Sequence, residues 1–262
     1  AKSISIYTTF DPDPEKNTEN ESQYGYAGQY STNNDWWWID AIQMGMPIFA
    51  KMGKLTGEQK YFDKMWDMYE YTRNKHGENG MFNVKEGLWW RDHNFDPPYK
   101  EPNGENCYWS RGNGWVYAAL VRVMNEIPSD EKHRQDYIND FMAMSKALKQ
   151  CQREDGFWNV SLHDPSNFGG KETSGTALFV YGMAWGARNG LLDKNTYLPV
   201  IIKAWNAMVK DAVHPNGFLG LVQGTGKEPK DSQPVTYDKV PDFEDFGVGC
   251  FLLAGSEVYK LN

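Results

Sequence analysis

The stretch Trp115-Val116-Tyr117-Ala118-Ala119-Leu120-Val121 decides how the chain is read, because every residue in it is apolar. A helix of this kind has no polar face to give to water, so it belongs inside a layer of other helices. The segment after Pro128-Ser129 is different. It places Tyr137, Phe141, Met144, Leu148 and Cys151 at alternating spacings of four and three, which puts one apolar stripe on an otherwise polar helix. Such a helix packs on the first from outside, and Asp155-Gly156-Phe157 then turns the chain.

The same unit recurs on both sides. Ser174 to Arg188 is apolar and small, Leu198 to Val213 is amphipathic through Ile201, Trp205 and Met208, and Asn216-Gly217-Phe218 closes the pair. Upstream, a helix through Ala50 and Lys51 precedes an amphipathic one marked by Tyr61, Met65, Met68 and Tyr69, which ends before Asn79-Gly80-Met81. Thr56 and Gln59 have the spacing of a capping box for that second helix. A last apolar helix runs from Glu244-Asp245-Phe246-Gly247 through Tyr259. Repetition at intervals of roughly 60 to 80 residues is the mark of a helical array. The chain is therefore expected to be all-α, a toroid of inner and outer helices, with residues 1–34 an irregular or extended arm and residues 35–262 the helical domain. In such a toroid the inner helices run the same way, so the loops leading into them gather at one end. Those loops are Asn34 to Asp40, Trp109 to Trp115, Gly170 to Gly175 and Pro241 to Gly247, all rich in Trp, Gly and polar residues. A pocket is expected there.

Composition narrows the partners. The 262 residues carry a net charge of -8, which argues against nucleic acid or an anionic membrane, since both need a basic face. No stretch reaches the roughly 18 apolar residues of a membrane span. Cys107, Cys151 and Cys250 are too scattered for a metal or disulfide pattern. No phosphate-binding glycine loop, zinc spacing or nucleophile elbow occurs, so no metal and no cofactor is expected. The 11 Trp suit a sugar-binding cleft or a dense helical core.

Chemistry concentrates at Asn34-Asp35-Trp36-Trp37-Trp38-Ile39-Asp40. With Asn34 or Asp35 as cap, Asp40 is expected well inside a helix, on a face with Trp36, Trp37, Gln43 and Met44, where apolar neighbours disfavour its ionised form. Pro47 is expected to kink that helix. Asp40 reads either as a structural acid in a Trp core or as an acid lining the pocket. Trp109-Ser110-Arg111-Gly112-Asn113-Gly114-Trp115 holds a cation between two rings at a helix N-terminus. It suits a carboxylated sugar, with Arg111 forked onto the carboxylate and a Trp stacked on the ring; the alternative is an Arg that ties down a loop by bonding carbonyls. Thr173 and Ser174 offer hydroxyls that serve a substrate or merely cap a helix, and Arg91, Asp92 and His93 are candidates for the pocket rim.

Trp38-Ile39-Asp40, the Trp109 to Trp115 segment, Glu172-Thr173-Ser174-Gly175-Thr176 and the run from Gly247 to Glu257 together resemble glycoside hydrolase family 105, the unsaturated rhamnogalacturonyl hydrolases, with family 88 as a more distant relative. The resemblance implies an (α/α)6 barrel that is incomplete on its N-terminal side, about three and a half helix pairs being visible in this chain. It implies removal of a 4,5-unsaturated uronic acid from the non-reducing end of lyase-cut, rhamnogalacturonan-type pectin oligosaccharides. It makes Asp40 the general acid/base and places Trp38, Trp109, Arg111 and Trp115 on the substrate, while Arg91 stands where many members have His. Two other readings fit the same residues. One is an inverting glycosidase with Asp35 or Glu172 opposing Asp40 at about 6.5–9.5 Å, and the other is an inactive carbohydrate-binding paralogue. A second copy, or a missing N-terminal segment, is expected to cover the open barrel edge.

Overall fold

The computed structural model describes residues 36–77, 79–239 and 245–261. Seven helices carry the described fold: α1 Asp40–Thr56, α2 Lys60–Asn74, α3 Ser110–Met124, α4 Arg134–Gln150, α5 Thr173–Arg188, α6 Lys194–Asp211 and α7 Asp245–Tyr259. A two-stranded antiparallel hairpin, β1 Phe82–Asn83 and β2 Leu88–Trp89, lies in the long connection between α2 and α3.

The apolar helices form the inner series. α1 packs on α3, α3 on α5 and α5 on α7, while α2, α4 and α6 flank α1, α3 and α5 from outside. This is the toroidal pattern expected from the alternation of wholly apolar and striped segments. α5 is the extreme case, buried at every position from Thr173 to Ala187. Its backbone comes close to α3 because Gly182 has no side chain, and a Cβ there would meet the Tyr117 ring at 2.2 Å. Among the described residues no packing of comparable extent joins α7 back to α1, so the described ring is an arc. Both ends of the arc keep an apolar stripe in solvent. On α1 it is Met44, Ile48 and Leu55; on α7 it is Val248, Leu252 and Tyr259.

Helix boundaries follow local chemistry. α1 stops where Gly57 turns left-handed at φ 70° and its N–H bonds the Gly53 carbonyl. Asp193 caps α6 by accepting the Thr196 N–H. The expected capping box is not formed: α1 runs on to Thr56, whose hydroxyl bonds back to the Met52 carbonyl, and α2 begins without a side-chain cap. Between α2 and β1, Gly80 sits at φ 71° with its α-carbon facing the Arg73 carbonyl, which explains the glycine after Asn79. Pro47 lies within α1 as expected. The expected arm, residues 1–34, lies outside the described residues. No helix among the described residues is long and apolar enough to cross a membrane.

Candidate active site

Asp40 is the first residue of α1, not an interior one. The helix begins four or five residues later than a cap at Asp35 or Asn34 would give, because the tryptophans before it are held in an extended lead-in. Trp38 pairs with Asp92 as an antiparallel bridge, the Ile39 N–H bonds the Arg91 carbonyl at 3.0 Å, and the Trp36 carbonyl accepts the Thr72 hydroxyl at 2.5 Å. Backbone pairing with the loop after β2 thus overrides helical propensity. The three indoles separate accordingly. Trp36 is core, edge-on to Phe49, whereas Trp37 and Trp38 are half-buried with ring centroids 4.6 Å apart.

The same pairing delivers Arg91 to Asp40. Arg91 Nε lies 3.3 Å from Asp40 Oδ2, the guanidinium also pairs with the buried carboxylate of Asp92, and its carbon stands 5.9 Å from the centre of the Trp37 ring. Burial lifts the Asp40 carboxyl above its ordinary value; Arg91, then Arg111, pull the other way, and Asp92 adds a little to the rise. The site therefore contains an acid biased toward its protonated form beside a fixed cation.

Arg111 is almost fully buried, and burial lowers its pKa. Its two terminal nitrogens donate to backbone carbonyls, Nη1 to Gln223 at 2.5 Å and Nη2 to Gly224 at 2.9 Å. The guanidinium lies 4.7 Å from the Trp109 ring centre and 5.0 Å from that of Phe246 on α7. Trp109 is itself buried and donates from Nε1 to Gln223 Oε1 at 2.8 Å. Gln223, which the sequence did not mark, is the hub of this wall: its amide nitrogen also donates to the carbonyls of Glu228, Pro229 and Asp231. No repeat or spacing announces such a residue, since its partners are remote in sequence.

Glu172 closes the wall. Its buried carboxylate accepts the backbone N–H groups of Ser174, Gly175 and Gln223 and the Ser174 hydroxyl. It is the N-cap of α5, with three of these bonds on Oε1 and one on Oε2. Thr173 and Ser174 are wholly buried; the Thr173 hydroxyl donates to the Gly220 carbonyl at 2.9 Å. Trp115 is half-buried on α3. Asn113, within the Trp109 to Trp115 segment, bonds both the N–H and the carbonyl of Trp89 and so ties the hairpin to α3, a role its sequence context does not signal. On the other side of Arg91, Asp92 accepts two bonds from Asn94, His93 pairs with Asp96, and a cleft of about 430 Å3 opens between Asn94, Phe95, Tyr99, Phe168 and Pro229. Asp35 lies outside the described residues. Among the described residues no group of three His, Cys, Asp or Glu side chains is arranged to hold a metal.

Known proteins resemble this chain over most of its length. A curated relative from Formosa agariphila, named an unsaturated 3S-rhamnoglycuronyl hydrolase, is 39% identical over 231 residues, which is 86% of this chain and 58% of the relative. The chain thus spans little more than half the length of that protein. Among solved structures, a glycosyl hydrolase family 88 protein from Bacteroides vulgatus superposes with a TM-score of 0.82 at 35% identity, covering 99% of this chain and 72% of that one. A possible family 105 member from Salmonella enterica shares the fold, with a TM-score of 0.69 at 23% identity over 95% of this chain and 67% of that one. Both families of the resemblance are thus among the chain's relatives, and the model of Glycosyl Hydrolase Family 88 matches residues 13–262. The chain belongs to glycosyl hydrolase family 88.

Proposed function

We propose that this protein removes a 4,5-unsaturated uronic acid from the non-reducing end of an oligosaccharide left by a polysaccharide lyase, and that it does so by hydrating the ring double bond. The observation that carries the reading is the acid at the start of α1: Asp40, raised by burial, 3.3 Å from Arg91. An unsaturated uronide is an enol ether. Protonating C4 makes C5 electrophilic, water adds at C5, and the resulting hemiketal opens and releases the aglycone without direct displacement at the anomeric carbon. Asp40 in its acid form gives the first proton and, as carboxylate, takes one from the water. Arg91 offers its remaining N–H groups to the uronate carboxylate, and Trp38, with its half-buried neighbour Trp37, supplies an aromatic face for the sugar. Trp109, Arg111, Thr173 and Ser174 serve from behind, shaping the wall of the site, and the half-buried Trp115 adds to the surface on which the substrate rests.

The inverting alternative needs a second free carboxylate opposite Asp40: Glu172 is spent on four hydrogen bonds, and Asp35, the other candidate, lies outside the described residues. The name of the Formosa relative supports rhamnose as the sugar next to the uronate, in agreement with the rhamnogalacturonan-type substrate implied by the resemblance. The test is incubation with lyase-generated fragments bearing an unsaturated uronate, either on rhamnose or on another sugar, while following the ultraviolet absorbance of the conjugated double bond. Loss of absorbance, faster with rhamnose, is the expected result; persistence of the chromophore with both fragments refutes the reading.

We propose further that the apolar stripes of α1 and α7 are covered in the working protein, by a second copy or by a segment N-terminal to α1. Leu55, Leu252 and Tyr259 are 70%, 64% and 80% exposed, more large apolar surface than helix faces in the core of a toroid leave to water. Light scattering of this chain across a dilution series tests it, and a monodisperse, heat-stable monomer at high dilution sinks it.

A further inference from the structure

One side chain beside Asp40 has no task in the account so far. Gln43 is three residues on from Asp40 in the first turn of α1, so the two rise from the same face. The other positions around it are accounted for. Ala41, Ile42 and Met46 are core, a Cβ on Gly45 would run into the Trp36 ring at 2.6 Å, and Met44 faces outward. Gln43 fits neither group. It is half-buried, and its amide oxygen is sealed from solvent without a hydrogen-bond partner among the described residues. Asp40 Oδ2 is in the same condition; among the described residues it has the ion pair with Arg91 but no hydrogen bond. Buried polar atoms are nearly always hydrogen-bonded. Two that lack partners on one helical turn, next to a cation, form a place for something polar that the described residues do not supply.

We propose that Gln43 is a positioning residue that holds the water adding to C5. The inference rests on the hydration reading of the site. After Asp40 has given its proton to C4, the double-bond electrons form the new C4–H bond and the positive charge sits on C5 and the ring oxygen. The water then directs a lone pair at C5 with one O–H donated to the Asp40 carboxylate and the other to the Gln43 amide oxygen. As the C5–O bond forms, its proton passes to Asp40, which regenerates the acid; one water is consumed and nothing is oxidised or reduced. An amide suits this role because it accepts a hydrogen bond and carries no charge. A carboxylate at the same place would repel the ionised Asp40 and make it harder to deprotonate.

The chemistry separates this role from a packing role. Gln43→Met keeps the length and loses the acceptor, so kcat is expected to fall about 10²-fold while KM stays within about 2-fold, as for a reactant left misaligned. Gln43→Glu restores an acceptor oxygen. It should recover part of the rate lost in Gln43→Met, which a packing role would not allow, and its charge beside Asp40 should move the alkaline limb of the kcat profile to higher pH. Thermal unfolding of both variants shows whether they are folded. If folded Gln43→Met keeps kcat within about 3-fold, or raises KM with kcat unchanged, or if Gln43→Glu leaves the pH profile in place, Gln43 does not position the water. These failures are distinct from failure of the hydration reading, which would show as a wild-type protein inert toward every unsaturated uronide and would take this inference down with it.

Discussion

Replacing Asp40 by Asn is expected to cost activity and add stability, and the pairing of the two effects is what the structure dictates. The amide keeps the shape and part of the hydrogen bonding but has no proton to give. Loss of a general acid/base costs about 10² to 10⁴ in rate, or roughly 2.7–5.5 kcal/mol of transition-state stabilisation at 1.36 kcal/mol per tenfold. Substrate affinity should change little, because Arg91 and the tryptophans remain. Stability moves the other way. Asp40 has a raised pKa in the fold because burial penalises its charge. The native state therefore holds its proton more tightly than the unfolded chain does. In the wild type this contribution is fully present below the ordinary carboxylate value, about 3.9, and is lost as pH rises through the higher folded value. Asn pays no such cost. Nor does the substitution orphan Arg91, which keeps Asp92. The variant should match the wild type near pH 3.5 and exceed it at neutral pH, by about 1 kcal/mol, a common size for a single stabilising substitution, or about 2 °C in Tm for a chain of this size. Turnover by ultraviolet absorbance and unfolding monitored from acid to neutral pH are the two assays. A variant that keeps most of its turnover, or one that loses turnover in step with a lower Tm, refutes the assignment of Asp40 as the acid.

Wild-type kcat should fall as pH rises through the raised Asp40 value, since the protonated form performs the first step, and a flat profile from acid to alkaline pH would contradict this. Arg111→Lys is expected to lower activity on charged and neutral substrates alike, because a single ammonium cannot reach both the Gln223 and Gly224 carbonyls; a selective loss on uronides would show that Arg111 meets the carboxylate. Away from the site, Asp140 joins α4 to α2 by accepting from Tyr69 at 2.8 Å and from Arg73 at 2.6 and 2.7 Å. Asp140→Ala strands a partly buried guanidinium and should cost about 3 kcal/mol in urea unfolding, with kcat per folded molecule unchanged.

The inner and outer helices were legible because burial on all sides and burial on one side write different patterns, as Trp115 to Val121 and Tyr137 to Cys151 show. Asp40 was legible as a residue but not in its setting. Its position at the very start of α1 depends on backbone pairing of Trp38 with Asp92, a contact between segments some 50 residues apart that no local propensity encodes. The same holds for Gln223 and for the bonds of Arg111. A forked cation between two rings fits a carboxylate ligand and a pair of carbonyls equally well, and only the fold shows which carbonyls lie within reach. Hydroxyls at a helix start are likewise ambiguous in sequence. Burial of Thr173 and Ser174, with Glu172 turned onto the helix end, appears only once the chain is folded.

The bonds from Trp109 and Arg111 to Gln223 and Gly224 span 112 to 114 residues of chain, and this sets an order of events. α1 and α3 can meet early, but the wall behind the acid is missing until the segment between α6 and α7 has crossed the end of the arc and Phe246 has reached the guanidinium. Contacts of such separation carry a high loop-closure entropy and form late. On refolding, helical signal and core burial should therefore return before turnover does. Damage near the C-terminus, far from Asp40 along the chain, reaches the chemistry as directly as damage beside it.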